Sequence, residues 1–197
     1  ISKFCKNKTS IILLTKGLAV EDDQLITLSE KLENILKKNG HKSANISSVK
    51  GPCLATGLAH KMRTGTVIAN QNLKQAQKIQ KLISTEYYKS EITDDIPGVE
   101  FSAAIKNIYS MLIGAAEGLS NPSAPTEIQE KFYLNTSAGL VHRSISEMVE
   151  FVSYYSGRVE TVYGLAGLGD LHVSVAGGRN SLMGKYLGQG YLYKDAK

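Results

Sequence analysis

Tryptophan is absent from the 197 residues, and cysteine occurs only twice and proline four times. No apolar run approaches the ~20 residues that a membrane-spanning helix needs. The longest strand-like run, SIILLT at 10–15, is far too short, so no membrane span is expected. Cys5 and Cys53 lie far apart and form no CxxC pair, which points to a reduced, cytoplasmic setting. No basic-then-apolar leader opens the chain, so no secretory signal is expected. The sequence starts at Ile1 and ends in YLYKDAK, and is expected to be cut at both ends. Arginine-rich runs and interleaved aromatics are missing too. The formal charge is +5, but the lysines are scattered; they suit steering of an anionic ligand, and nucleic-acid binding is not expected. His41, His60, His142 and His172 have no Cys, His or carboxylate at metal-ligand spacing, so no metal is expected. There is no internal repeat, P-loop, nucleophile elbow or EF-hand loop.

What is present is an alternation of strand-like and helix-period segments over residues 1–97. SIILLT, ANISSV, TVIAN (66–70) and YYKSEIT (87–93) read as strands. Residues 23–39 place Leu25, Leu28, Leu32, Ile35 and Leu36 on one face. Asp22 and Asp23 precede that predicted helix, and Lys37, Lys38 and Gly40 close it. Leu73, Ala76, Ile79, Leu82 and Ile83 mark a second helix. The alternation predicts a mainly parallel α/β sheet. After Pro97 helical periods take over: Phe101 to Ala115, then Val141 to Val152. Between them LSNPSAP (119–125) reads as a loop, followed by a Thr126–Gln129 capping box. The expected plan is α/β over 1–97 followed by all-α over 98–197.

Five stretches could carry chemistry. GVEFSAAIKN (98–107) puts Lys106 in an apolar helix with Ser102 and Ser110 one turn away, leaving room for a small ligand. A buried, paired ammonium there suits proton transfer; a lysine snorkelling to solvent is the alternative. GLAGLGDL (164–171) reverses the spacing of a dinucleotide loop and reads better as a tight turn presenting Asp170. GGRN (177–180) sets glycine amides beside Arg179 and Asn180, a combination that suits a phosphate, or else a plain glycine turn with a surface arginine. TKG (15–17) and KGPCLA (50–55) each follow a strand, where α/β sheets bind ligands, or are ordinary loops.

Taken in their order along the chain, from TKG and GPCLA through GVEFSAAIKN and GLAGLGDL to GGRN, the five stretches resemble NAD(P)-dependent glycerol-3-phosphate dehydrogenases over nearly the whole chain. The resemblance implies the C-terminal part of a Rossmann-type parallel sheet joined to a helical substrate and dimerisation domain. It implies NAD or NADP as cofactor, a homodimer, and interconversion of sn-glycerol 3-phosphate and dihydroxyacetone phosphate, which supplies glycerophospholipid synthesis. It implies that Lys106 is the general acid/base, with Asp170 its charge partner and Asn107 orienting lysine or substrate. Lys16, Gly51, Cys53, Gly178, Arg179 and Asn180 match substrate positions, and Lys16, Ala55 and Arg179 match cofactor contacts. The family usually carries Ser or Thr at Cys53, Glu near Gly57 and Ser at Gly178. The interval from Asp170 to Arg179 is shorter here than usual, and the 119–130 loop longer. The glycine fingerprint G-x-G-x-x-G that opens the family pattern has no match in these 197 residues, so the chain is expected to be a piece of the enzyme. Two other readings are another 2-hydroxyacid-type dehydrogenase, with no need of the phosphate ligands, and a non-catalytic helical dimerisation or binding module.

Overall fold

The computed structural model describes residues 9–41, 45–120 and 131–196. Four strands, β1 (Ser10–Leu13), β4 (Asn45–Lys50), β5 (Thr64–Ala69) and β6 (Tyr88–Thr93), form one sheet in the order β1-β4-β5-β6. β1 pairs with β4, and β5 with β6, in parallel, but β4 and β5 run antiparallel. The sheet is therefore mixed. Helix α3 (Leu73–Ile83) packs Ala76 and Ile79 on Val49 and Ile68 of the sheet.

The helix predicted over 23–39 is shorter than its apolar spacing suggests. Residues 18–27 form a hairpin instead, β2 (Leu18–Glu21) and β3 (Gln24–Thr27), and α1 runs Leu28–Lys38. Asp22 and Asp23 make its two-residue turn with φ of 50° and 59°, the left-handed pair that matches hairpin twist. Leu18 and Leu25 pack against the helical core, so tertiary contact outweighs the helical period. The Thr27 side chain accepts from the Glu30 amide and starts α1 there. A further helix, α2 (Ala55–Ala59), links β4 to β5.

Helix α4 (Ile96–Ser120) is the spine. Asp95 accepts from the Gly98 amide to open it, and also from the Arg158 amide and the Thr161 hydroxyl, which ties it to α6 (Val159–Tyr163). Glu100, 1% exposed, accepts from the amide and hydroxyl of Ser29 and so holds the N-terminus of α1. Leu119 and Ser120, read as loop, are the last residues of α4. The Thr126–Gln129 capping box lies outside the described residues. Against α4 pack α5 (Leu134–Tyr154), α7 (Asp170–Gly177) and α8 (Arg179–Gly188), with a short α9 (Tyr193–Ala196) after them. Phe101, Ile105, Ile113, Ile145, Met148, Val152, Val162 and Leu171 form the helical core.

The contact between α4 and α8 is backbone to backbone. A Cβ on Gly114 would lie 2.0 Å from the Ser181 carbonyl oxygen, and one on Gly184 2.0 Å from that of Met111. Each helix repeats the glycine four residues on, at Gly118 and Gly188. Gly184→Ala is expected to destabilise the fold by roughly 2–3 kcal/mol, the cost of overpacking an interface that cannot yield. Gly139→Ala, on the open face of α5 where, beyond the helix's own backbone, no atom of the described residues lies within 4 Å of the added carbon, is expected to be neutral or stabilising. Denaturant titrations of both variants check this; equal effects would contradict it.

Candidate active site

The sheet brings the two Lys-Gly dipeptides to one end. Lys16 follows β1 and Lys50 closes β4, and because the strands are parallel both stand at their carboxyl ends. Lys106 and Asn107 come from the middle of α4, Asp170 opens α7, and Arg179 and Asn180 open α8.

The GLAGLGDL stretch is not a tight turn. Leu165–Gly169 winds as a single π-helical turn leading directly into α7. Gly167 makes this possible, since a Cβ there would meet the Val162 carbonyl oxygen at 2.1 Å. The wide turn delivers Asp170, 1% exposed, to the interior face of α4. There its carboxylate holds two ammonium groups, Lys16 Nζ at 2.5 Å and Lys106 Nζ at 2.9 Å. Lys106 also donates to the hydroxyl of Ser174, one turn after Asp170 on α7. Lys106 is 4% exposed and does not snorkel. Burial lowers its pKa; Asp170 opposes that shift and the like charge of Lys16 adds to it.

Above this cluster lies a cleft of about 740 Å³. Lys16, Lys106, Asn107, Gly178, Arg179 and Asn180 line it, with Leu14, Leu54, Leu182 and Met183 as apolar wall. Arg179 and Asn180 sit in the first turn of α8, whose amides have no intrahelical acceptor and whose dipole favours an anion. Gly178 has no room for a side chain: a Cβ would meet the Ser174 carbonyl oxygen at 2.3 Å, as the short link between α7 and α8 requires. Ser110 lines the cleft, but Ser102 does not; it is fully buried and its hydroxyl has no hydrogen-bond partner among the described residues.

Gly51, Cys53 and Ala55 are not part of the cleft lining. Gly51 is buried, with φ 128°, and turns the chain off β4. Cys53 is half-buried; burial raises the pKa of its thiol while Lys16 opposes that. Ala55 is exposed at the start of α2. Among the described residues no cluster of His, Cys, Asp or Glu is arranged to hold a metal.

Two polar residues at or beside the site are not singled out as site residues by the sequence. Ser174 is legible only once α7 is known to begin at Asp170, which places it at i+4. Lys50 is 3% exposed and donates to the Leu13 carbonyl at 3.0 Å. Burial lowers its pKa to about 8, against the attraction of Glu100. From that folded value up to its ordinary 10.5, the unfolded chain binds the extra proton, so this group makes stability rise with pH across that window. The stability gap between Lys50→Met and wild type is therefore expected to be constant below about pH 8. Above it the mutant should lose ground by on the order of 2–3 kcal/mol as the pH climbs toward 10.5. Thermal unfolding at several pH values measures the gap; a constant gap would contradict the shift.

Comparison with known proteins identifies the family of the chain. The family model described as NAD-dependent glycerol-3-phosphate dehydrogenase C-terminus matches residues 95–197, and its N-terminal counterpart matches residues 1–76. The chain is 32% identical over 187 residues to an NADP(+)-dependent glycerol-3-phosphate dehydrogenase of Archaeoglobus fulgidus, covering 94% of this chain and 53% of that one. It is 30% identical over 186 residues to a glycerol-3-phosphate dehydrogenase [NAD(P)+] of Syntrophotalea carbinolica, covering 93% and 52%. Among solved structures, the glycerol-3-phosphate dehydrogenase of Coxiella burnetii superposes with a TM-score of 0.82 at 29% identity, over 99% of this chain and 55% of that one. The chain thus spans about half the length of the curated relatives it matches.

Proposed function

The chain belongs to the NAD-dependent glycerol-3-phosphate dehydrogenase family, and on that premise we propose that its protein interconverts dihydroxyacetone phosphate and sn-glycerol 3-phosphate with NAD or NADP. The observation that carries the reading is the joining, in one cleft, of a buried Asp170-bound Lys106 with Arg179 and Asn180 at a helix N-terminus. One end moves a proton and the other grips an anion, as a phosphorylated ketone requires.

Lys106 is placed to give its proton to the ketone oxygen as C2 is reduced, and its neutral amine to take the proton back from the alcohol in reverse. Lys16 matters to that exchange. When Lys106 is neutral, Asp170 keeps Lys16 as counter-ion, so the carboxylate is never left buried and alone. Asn107, beside Lys106 on the cleft wall, is assigned to orient the substrate oxygens. Arg179, Asn180 and the first amides of α8 are assigned to the phosphate. Gly178, in the cleft lining, and Gly51 and Cys53, outside it, are also assigned to the substrate side.

The apolar wall of Leu14 and Leu54, next to the ammonium pair, fits a planar nicotinamide ring better than a wholly polar ligand. Lys16, Ala55 and Arg179 are the residues assigned to border the cofactor. When bound, the reduced nicotinamide supplies the hydride that C2 receives. The proposal extends to a cytoplasmic homodimer feeding phospholipid synthesis. Among the described residues no helix is long and apolar enough to cross a membrane.

Lys106→Ala in the full-length protein is expected to lower turnover by about 10²–10⁴-fold while the fold persists. Near-wild-type turnover would remove the acid/base assignment. Arg179→Lys keeps the charge but loses the two-pronged donor, so the KM for dihydroxyacetone phosphate is expected to rise about tenfold or more. Unphosphorylated dihydroxyacetone should be affected less. Equal losses on both substrates would detach Arg179 from the phosphate.

A further inference from the structure

One ammonium near the cleft has no place in the chemistry above. Lys50 is buried, does not line the cleft, and donates to a backbone carbonyl, that of Leu13. Its position explains the contact. β1 and β4 run in parallel register up to Leu13 and Ser48, and the ladder stops there although β4 continues to Lys50. On its other side β4 is still paired at Lys50, with Val67 of β5, so Lys50 sits on fixed backbone. Where β1 loses its neighbour, the Lys50 side chain takes the Leu13 carbonyl, and the chain leaves the sheet to bring Leu14 and Lys16 into the cleft. Lys16 is three residues beyond the held carbonyl, a tether of at most about 10 Å.

We propose that Lys50 is a positioning residue: by holding the Leu13 carbonyl it sets where the chain departs from β1, and so seats Lys16 on Asp170. The charged groups facing Lys50 are Glu100 from α4, Asp170 from α7 and Lys16 from the segment after β1. Of the two lysines only Lys16 reaches the cleft; the Lys50 ammonium is taken up by the Leu13 carbonyl behind it. An apolar residue at 50 would remove both the charge and the hold on Leu13. The effect on catalysis rests on reading the cleft as the substrate site; the seating of Lys16 does not, and is measured separately.

The experiment is competitive labelling of lysines in the folded full-length protein with limiting acetic anhydride, quantified residue by residue by mass spectrometry. In Lys50→Met, labelling of Lys16 is expected to rise about tenfold, the scale set by loss of a hydrogen bond from a charged donor. Lys185 is the internal control, being ion-paired to Glu117 at 2.6 Å and similarly accessible, with side-chain exposure of 33% against 28% for Lys16. Its labelling should not change. Lys50→Arg, which retains a cationic donor, should keep Lys16 close to its wild-type rate. In steady-state kinetics Lys50→Met should raise the KM for dihydroxyacetone phosphate more than Lys50→Arg does. Unchanged Lys16 labelling in Lys50→Met, or a rise shared equally by Lys185, overturns the proposal. If the wild-type protein fails to reduce dihydroxyacetone phosphate, the functional reading falls, and the Lys16-to-Lys185 labelling ratio still decides the role of Lys50.

Discussion

Helices α4 and α8 touch through glycine, and the geometry of the cleft follows from that contact. With no Cβ at Gly114, Gly118, Gly184 or Gly188, the two backbones approach until a methyl group would strike a carbonyl oxygen at about 2 Å. Such a contact leaves α8 very little freedom to slide or tilt. Its N-terminus is consequently held at a fixed distance from the middle of α4, the anion-attracting end of one helix facing the ammonium carried by the other. Had the helices been spaced by leucines, at the usual 8–10 Å, the same residues would stand on the walls of a wider gap.

Electrostatics in this interior follow a different logic from packing. Asp170 serves two ammonium groups, and a third, Lys50, is buried nearby with Glu100 as its opposing charge. Three cations against two carboxylates leave a local excess of positive charge beside the cleft. Buried ions are a poor way to gain stability. The arrangement makes sense if an anion completes it, and if one lysine must release a proton without stranding its partner. The lowered pKa of Lys106 comes chiefly from burial, and the burial comes from α4 being apolar on nearly every side.

The α/β and helical layers are joined by polar contacts at the start of α4. Asp95 ties its first turn to α6, and Glu100 reaches across to cap α1. The hairpin of β2 and β3 adds apolar contact by laying Leu18 and Leu25 on the helical core. Lys16, just beyond β1, and the carboxylate of α7 can thus meet within hydrogen-bonding distance although 154 residues separate Lys16 from Asp170.

Local order determined much of this in advance. Strand-forming runs, the helical periods after Pro97 and the lone lysine in GVEFSAAIKN follow from side-chain pattern alone, because each depends on neighbours within a turn or a strand. Asp22 and Asp23 read locally as the lead-in to a helix, yet they close a hairpin, because the packing of Leu25 on the helical core decides. The antiparallel rung between β4 and β5, the π turn ahead of Asp170, the sharing of one carboxylate by Lys16 and Lys106, and the grip of Lys50 on Leu13 were decided by tertiary structure. Each depends on distances between segments remote in sequence, and no local pattern of side chains carries that information.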